Sequence, residues 1–351
     1  MTWLRWLLVA LPASWVLALL HGPAVAVFLV SGLGVIPLAA AMGEATEALA
    51  RRSGPTVGGL LNATFGNAAE LILAIVALRA GLLDLVKASL TGSILGNLLL
   101  ILGLSLVAGG IRRPSLAFNR TAAGTSGAML LLAVVGLVIP ALFAATHPAA
   151  TEQRTIRLSE GVAVVLGATY ALGLVFSLVT HKELFGGGVG GREGHAAPGR
   201  GGVGRAGALL AGATLLVAVQ SEILVHATEQ VVMRLGWSEF FVGLMIIPLI
   251  GNAAEHASAV AAARKGQTDL ALTIALGSST QVALFVAPLL VLAGVLLGQP
   301  MHLVFTAFEV IALGLAALIV TVIALDGESH WFEGAQLLAV YAILAIAAWF
   351  V

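Results

Sequence analysis

The chain has 351 residues, of which 60% are hydrophobic and only 10% charged, and its 17 basic and 17 acidic residues cancel. A soluble protein of this length needs a far more charged surface, so the composition predicts an all-α polytopic membrane protein. The balanced charge argues against a nucleic-acid partner. The absence of cysteine excludes disulfides and thiolate metal sites.

Apolar windows separated by Gly, Pro and charged clusters predict eleven transmembrane helices. Their approximate positions are 3–20, 23–50, 56–79, 86–109, 121–145, 156–180, 207–233, 239–264, 268–296, 300–325 and 334–351. The first window combines Arg5 with a short apolar run, as a secretory signal peptide does, but we interpret it as an uncleaved helix. Lipid is therefore the expected neighbour of most of the surface, and a homo-oligomer is left open.

One long polar segment, 181–205, interrupts this pattern. It is rich in Gly and lacks apolar periodicity, which predicts a flexible linker over 181–206. Loop cations are concentrated on the side of the N-terminus and of this linker. By the positive-inside rule, the N-terminus and the linker lie in the cytoplasm and the C-terminus lies outside.

An internal repeat divides the chain. The pentapeptide Gly-Asn-Ala-Ala-Glu occurs at 66–70 and again at 251–255, a shift of 185 residues. The predicted segments are an N-terminal membrane helix (1–22), a first five-helix repeat (23–180), the linker (181–206) and a second five-helix repeat (207–351). Because five is odd, the second repeat must be inverted in the membrane. Inverted repeats are typical of secondary transporters, which hold substrate near the midplane and alternate access to it.

Two carboxylates, Glu70 and Glu255, fall near the middle of their predicted helices. A carboxylate at that depth must be protonated or paired with a cation, and no Lys or Arg lies deep inside any window. The partner is therefore mobile, either a proton or a metal ion. When the ion leaves, protons can replace it, so one site can couple both fluxes.

Oxygen donors near these carboxylates suit a divalent cation such as Ca²⁺. Asn67 and Asn252 each precede a carboxylate by three residues and offer amide oxygens from nearly the same helical face. Gly66 and Gly251 permit irregular backbone that would free carbonyl ligands. The remaining candidate ligands, on the following helices, are Ser93, Ser278 and Gln281. Hydroxyls in membrane helices also commonly bond to their own backbone one turn earlier.

Three further ionisable residues are candidates for gating or proton relay. Glu47 and Glu229 lie nearer helix ends, where solvation at the interface is the alternative. His256 follows Glu255 directly, whereas Leu71 stands at the equivalent place in the first repeat. A helical neighbour points about 100° away, so His256 is expected to orient the site rather than bind the ion.

The segments around both pentapeptides resemble the cation/proton exchanger (CAX) family of the Ca²⁺:cation antiporter superfamily. The resemblance rests on residues 58–71, 92–97, 251–256 and 275–281. It implies an eleven-helix antiporter that exports Ca²⁺ in exchange for protons, with Glu70 and Glu255 as shared ligands and no cofactor. It also implies supporting ligands at Asn67, Asn252 and the nearby Ser and Gln positions.

The linker departs from the eukaryotic members of that family, in which it often carries an acidic helix. Here it is basic and rich in Gly, which argues against regulation by Ca²⁺ through this segment. Together with the short N-terminus, this favours a prokaryotic cell (inner) membrane as the location.

Other functions stay open on the sequence. Exchange of Na⁺, K⁺ or Mn²⁺ for protons would use similar oxygen ligands. A passive cation channel lined by Glu70 and Glu255 is disfavoured by the inverted repeat. An intramembrane metallohydrolase would need a ligand motif such as HExxH, which does not occur. The prediction is therefore a transporter and not an enzyme.

Overall fold

The computed structural model describes residues 6–185 and 202–351. Most of these residues are helical. Arg5 and the greater part of the predicted linker lie outside the described residues. At the linker's edges, Lys182–Phe185 forms a 3₁₀ turn and the next helix begins at Val203, a few residues before the predicted window.

The α-helices are numbered in chain order. They are α1 (Ala10–Leu19), α2 (Ala24–Ala50), α3 (Gly54–Phe65), α4 (Ala68–Arg79), α5 (Leu83–Leu95), α6 (Leu102–Gly110), α7 (Arg120–Thr146), α8 (Glu152–Val175), α9 (Val203–Leu235), α10 (Glu239–Phe241), α11 (Ile247–Gly251), α12 (Ala253–Arg264), α13 (Thr268–Gln281), α14 (Ala287–Leu297), α15 (Ala307–Ile323) and α16 (Trp331–Trp349). The π-helical turns are Gly96–Ile101, Phe176–Thr180, Val242–Ile246 and Val282–Val286. Leu7–Val9 is a 3₁₀ turn that leads into α1.

Two short strands join loops that are far apart in sequence. Leu116–Ala117 (β1), before α7, pairs antiparallel with Glu328–Ser329 (β2), before α16. In this register Leu116 lies opposite Ser329. The pair ties together the loops that follow α6 and α15.

Apolar helices dominate the described chain. When consecutive segments are joined, as α3 and α4 are over Thr56–Arg79, eight helical spans are long and apolar enough to cross a membrane. A ninth span results if Glu239–Gly251 and Ala253–Arg264 are taken as one bent helix. Two shorter apolar helices, Leu7–Leu19 and Ala307–Ile323, accompany them. The chain is an integral membrane protein, as its composition predicts.

The predicted window 300–325 is wrong at its start. Residues 301–305 are extended, and α15 begins only at Ala307. Buried and half-buried side chains alternate along 301–305, which is the period of extended chain rather than of a helix. The Leu303 N–H donates to Oγ of Ser159 at 2.9 Å, so a side chain replaces a helical bond here.

Helix bounds repeat along the chain with the shift seen in the sequence. Helices α4 and α12 each have 12 residues and begin at Ala68 and Ala253, which are 185 residues apart. Helices α5 and α13 begin at Leu83 and Thr268, with the same shift. The two halves thus place a broken helix and the helix after it at equivalent positions.

Helix α5 and the π-turn after it are deeply buried and pack against the second half. Gly92 lies against the backbone of Leu244 in the π-turn Val242–Ile246, where a Cβ would overlap the Leu244 carbonyl oxygen. Gly243 approaches α5 in the same way, with the Leu85 carbonyl oxygen 3.0 Å from where its Cβ would be. These glycines let the two backbones meet, as small residues do in membrane helices.

Candidate ion site

Both pentapeptide segments interrupt their helices. Asn67 separates α3 from α4 with φ −103° and ψ 29°. Asn252 separates α11 from α12 with φ −91° and ψ 2°, and this span bends by 60°. Glu70 and Glu255 therefore lie in the first turns of α4 and α12. A negative charge is favoured there by the helix dipole.

Asn67 and Asn252 directly precede α4 and α12, and their carbonyl oxygens accept the first bonds of these helices, from the N–H groups of Leu71 and His256. The irregular backbone expected at Gly66 and Gly251 occurs one residue later, at the Asn. Gly is a poor helix former, so the chain loses little when it leaves helical geometry directly after it. The turn frees the Asn side chains to point across the molecule.

Glu70 of the first half lies beside the helix break that precedes Glu255 in the second half. A Cβ on Gly251 would lie 3.2 Å from Cγ of Glu70, so Glu70 packs against the second break. The Glu70 and Glu255 carboxylates interact electrostatically, and both residues are half-buried. Within 6–185 and 202–351, none of the ion pairs includes either carboxylate. Two acidic groups thus meet without a fixed cation between them.

Each break is tied to a helix of the other half by its Asn. Asn67 donates from Nδ2 to the backbone oxygen of Ser278 at 3.3 Å. Asn252 donates from Nδ2 to Oγ of Ser93 at 3.2 Å. Both Asn residues are at most 1% exposed, and neither Oδ1 has a donor among the described residues. Buried amide oxygens ordinarily have a partner, so two unpaired ones beside two carboxylates indicate a place for a cation.

Ser278 and Gln281 complete the contacts. The Ser278 hydroxyl donates to Oε2 of Glu255 at 2.7 Å. Gln281 donates from Nε2 to the carbonyl oxygen of Ala63, and its Oε1 would lie 3.3 Å from a Cβ on Gly66. One continuous group of contacts therefore brings together Glu70, Glu255, Asn67, Asn252, Gly66, Gly251, Ser93, Ser278 and Gln281. The candidate ligands besides the two carboxylates are all neutral oxygens.

The three candidates for gating or proton relay differ in their position relative to this group of contacts. Glu47 is exposed in the last turn of α2 and pairs with Arg51 at 2.8 Å. Glu229 is half-buried on α9, and within the described residues neither it nor Glu47 has a hydrogen bond or ion pair with the group just described. His256 adjoins the group in sequence, and its buried Nε2 has no partner within the described chain.

Two buried or half-buried polar residues, Asn97 and Tyr170, were not among the predicted site residues. Asn97, in the π-turn after α5, is 1% exposed and its Nδ2 has no acceptor in the described part of the chain. The only sequence signal for Asn97 was a difference between the repeats, since Val282 stands at the equivalent position 185 residues later. Tyr170 donates to Ala63 from 107 residues away, and nothing in its local sequence marks it.

A buried carboxylate was also missed. Glu309 is 2% exposed at the start of α15 and accepts from the Thr91 hydroxyl at 3.0 Å. Its other oxygen accepts from the backbone N–H and the hydroxyl of Thr306. The Thr-x-x-Glu spacing of this capping box was readable in the sequence. Because its bonds are satisfied, Glu309 serves to fix α15 against α5.

Broken membrane helices that meet with carboxylates and amide oxygens at their breaks define a membrane transporter. Comparison with known families agrees. The family described as "Sodium/calcium exchanger protein" matches residues 23–179 and 206–350. The chain belongs to this family, and the resemblance seen in its motifs is confirmed.

Similar proteins extend over nearly the whole chain. A Ca²⁺/H⁺ antiporter of a Synechocystis strain is 45% identical over 98% of this chain and 96% of its own length. A Ca²⁺/H⁺ antiporter of Aphanothece halophytica is 42% identical over 98% of this chain and 95% of its own. The solved structure of native YfkE is 40% identical, with a TM-score of 0.85 over 99% of this chain and 100% of that chain. The named relatives are transporters, not enzymes.

Proposed function

We propose that this chain is a secondary active antiporter that exchanges cytosolic Ca²⁺ for protons, with Glu70 and Glu255 binding Ca²⁺ or protons in competition. The observation that carries the proposal is the pair of buried amide oxygens of Asn67 and Asn252, which lack donors in the described chain beside carboxylates without a fixed cation. Carboxylate, amide and carbonyl oxygens are the ligands of Ca²⁺. The names of the two cyanobacterial relatives support the same cargo.

Coupling follows from the proximity of the two carboxylates. Two negative charges that share a poorly solvated site are costly unless a cation lies between them. The departure of Ca²⁺ therefore favours uptake of protons at Glu70 and Glu255, and the arrival of Ca²⁺ expels them. Exchange needs no separate proton route.

The architecture proposed for this exchange has eleven spans. The eight long helices, the bent pair and the two shorter apolar helices supply that number. We assign them to an N-terminal helix (1–22) and two inverted five-helix repeats (23–180 and 207–351), joined by a cytosolic linker (181–206). Matching helix starts at the 185 shift and two separate matches to the family support this division. Access would alternate around the site where the repeats meet.

The remaining residues support the two carboxylates in this scheme. The supporting ligands are Asn67, Asn252, Ser93, Ser278, Gln281 and backbone at Gly66 and Gly251. The gating or relay residues are Glu47, Glu229 and His256. We place the protein in a prokaryotic cell membrane, with its N-terminus in the cytoplasm and its C-terminus outside.

The test is radioactive Ca²⁺ uptake into proteoliposomes with and without an imposed pH gradient. The wild type should take up Ca²⁺ only with the gradient, and Glu70→Gln and Glu255→Gln should each abolish uptake. Glu44→Gln, which changes an exposed carboxylate on α2, should leave it intact. Gradient-independent flux would identify a passive channel. Proton-coupled flux of Na⁺, K⁺ or Mn²⁺ without Ca²⁺ flux would show that the transported ion is one of these instead of Ca²⁺.

A further inference from the structure

The carbonyl oxygen of Ala63 is the acceptor left free by the first helix break. In a continuous helix it would accept from the backbone N–H of Asn67, but the turn at Asn67 removes that donor, and no other backbone N–H of the described chain replaces it. Two side chains from other helices take its place. Tyr170 on α8 donates from its hydroxyl at 3.2 Å, and Gln281 at the end of α13 donates from Nε2. Both lone pairs of this carbonyl are thus occupied.

The second break is closed differently. Pro248 stands at the 185 shift from Ala63, and its carbonyl oxygen accepts the backbone N–H of Asn252 at 2.9 Å. The position equivalent to Gln281 in the first half is Gly96, which has no side chain to donate. Side chains therefore bond to the Ala63 carbonyl at the first break, whereas a backbone N–H bonds to the equivalent Pro248 carbonyl at the second.

Tyr170 contacts Ala63 and also the segment that follows Gln281. Its ring stacks on Phe285, with centroids 5.6 Å apart and planes at 24°. Phe285 lies in the π-turn that directly follows Gln281. The ring thus packs on the segment that carries Gln281, while the hydroxyl bonds to Ala63. A Phe at this position would keep the stack and lose only the hydroxyl.

We propose that Tyr170 is a positioning residue for the ion site, which acts through Ala63 and Gln281. The Tyr170 hydroxyl fixes the direction of the Ala63 carbonyl, and that carbonyl anchors Nε2 of Gln281. Because the amide group is planar, an anchored Nε2 also fixes Oε1, which lies beside Gly66 at the break. Tyr170 thereby sets where a neutral ligand oxygen stands relative to Glu70. The inference rests on the proposed function for the identity of the cargo.

The test compares Tyr170→Phe with Tyr341→Phe in proton-driven Ca²⁺ uptake. These are the two tyrosines of the chain, and both are half-buried, but the Tyr341 hydroxyl makes no hydrogen bond within the described residues. Tyr170→Phe should raise the KM for Ca²⁺ about 3- to 10-fold, the size expected for one neutral hydrogen bond, with a smaller change in maximum rate. Tyr341→Phe should change neither.

A double-mutant cycle separates positioning from general stabilisation. If Tyr170 acts through Gln281, Tyr170→Phe should add no further rise in KM to Gln281→Ala. An unchanged KM in Tyr170→Phe, or additive effects in the cycle, would overturn the inference. So would a lowered melting temperature accompanied by a reduced rate at constant KM.

A binding measurement keeps this inference distinct from the proposed function. Calorimetric titration of detergent-solubilised protein with Ca²⁺ should show weaker binding by Tyr170→Phe than by the wild type and Tyr341→Phe. If the wild type binds Ca²⁺ but shows no proton-coupled flux, the antiporter proposal falls and this comparison still decides the role of Tyr170. If the wild type does not bind Ca²⁺, both fall.

Discussion

The hydroxyl of Ser278 donates to Oε2 of Glu255 over 2.7 Å. The equivalent hydroxyl of the first half, on Ser93, instead accepts from the side chain of Asn252. The two carboxylates of the site are thus supported unequally, and Glu255 has a side-chain donor dedicated to it. A substitution of Ser278 should therefore act directly on the Glu255 carboxylate, whereas a substitution of Ser93 should act on Asn252.

Ser278→Ala should weaken Ca²⁺ transport because it removes a bond to a charged group. Such bonds contribute about 1.5–3 kcal/mol, so we expect the KM for Ca²⁺ to rise about tenfold or more. The control is Thr280→Val, since the Thr280 hydroxyl bonds only to the backbone oxygen of Leu276 on its own helix. Initial rates of uptake over a range of Ca²⁺ concentrations give both values. Equal KM values for the two variants would contradict the prediction.

Gly251→Ala should reduce transport because the new methyl group would press on Glu70. A Cβ there lies 3.2 Å from Cγ of Glu70, closer than an ordinary contact, so the carboxylate must shift. Gly161→Ala on α8 is the matched control, since its Cβ would have no neighbour within 4 Å. Uptake normalised to protein in the vesicles is the measurement. Full activity in Gly251→Ala would show that Glu70 does not need its present position.

Gln220→Leu should destabilise the junction of α1, α2 and α9. Gln220 is 0% exposed, accepts from the indole N–H of Trp15, and donates to Oγ of Ser14 and the carbonyl of Ser31. Leucine would leave the indole N–H of Trp15 without this acceptor and remove the bonds to Ser14 and Ser31, and a buried group that loses its partner costs about 1–3 kcal/mol. The melting temperature in detergent, followed by tryptophan fluorescence, should fall clearly. Gln230→Leu, a half-buried change on the same helix, should have little effect, and a similar fall in both would count against the junction.

His302 should make stability sensitive to acid. It lies outside the spans, between α14 and α15, and burial together with Lys87 holds the pKa of its imidazole below the usual value, although Glu152 and Asp84 oppose this. The unfolded chain therefore takes up this proton at higher pH than the folded protein. The stability from neutral His302 is complete above about pH 6.5 and is lost as the pH falls through the lowered value.

His302→Gln should accordingly lose less thermal stability than the wild type when the pH is lowered from about 7.5 to about 5.5. Melting temperatures at several pH values give the comparison. His226→Gln, at an exposed position on α9, should follow the wild type. Parallel curves for the wild type and His302→Gln would refute the assignment.

Much of the candidate site could be predicted because polar residues inside apolar windows are costly and therefore conspicuous. Asn67 and Glu70 were conspicuous because the same residues recur 185 positions later in the sequence. The position of the breaks could not be predicted, since Gly66, Asn67 and Pro248 are each compatible with one, and only the backbone angles distinguish them. Family membership and the membrane class needed nothing beyond the motifs and the composition.

Contacts between distant segments were beyond sequence reasoning. Tyr170 looks like any aromatic residue in an apolar helix until α8 is packed beside Ala63. The extended segment 301–305 is as apolar as a helix, and its alternation is too short to outweigh the helical pattern that follows. In both cases the deciding partner, such as Ser159 for Leu303, comes from another span.

The π-turns after α5 and α13 bear on the history of the chain. Gly96–Ile101 and Val282–Val286 occupy nearly equivalent places in the two halves. A π-turn holds one residue more than the α-helix around it and frequently occurs at functional sites. Two separate insertions at one place are a less economical explanation than a single one inherited by both halves. The extra residue was then inserted before the duplication that produced the two repeats. The single ancestral repeat already had a widened helix at this place.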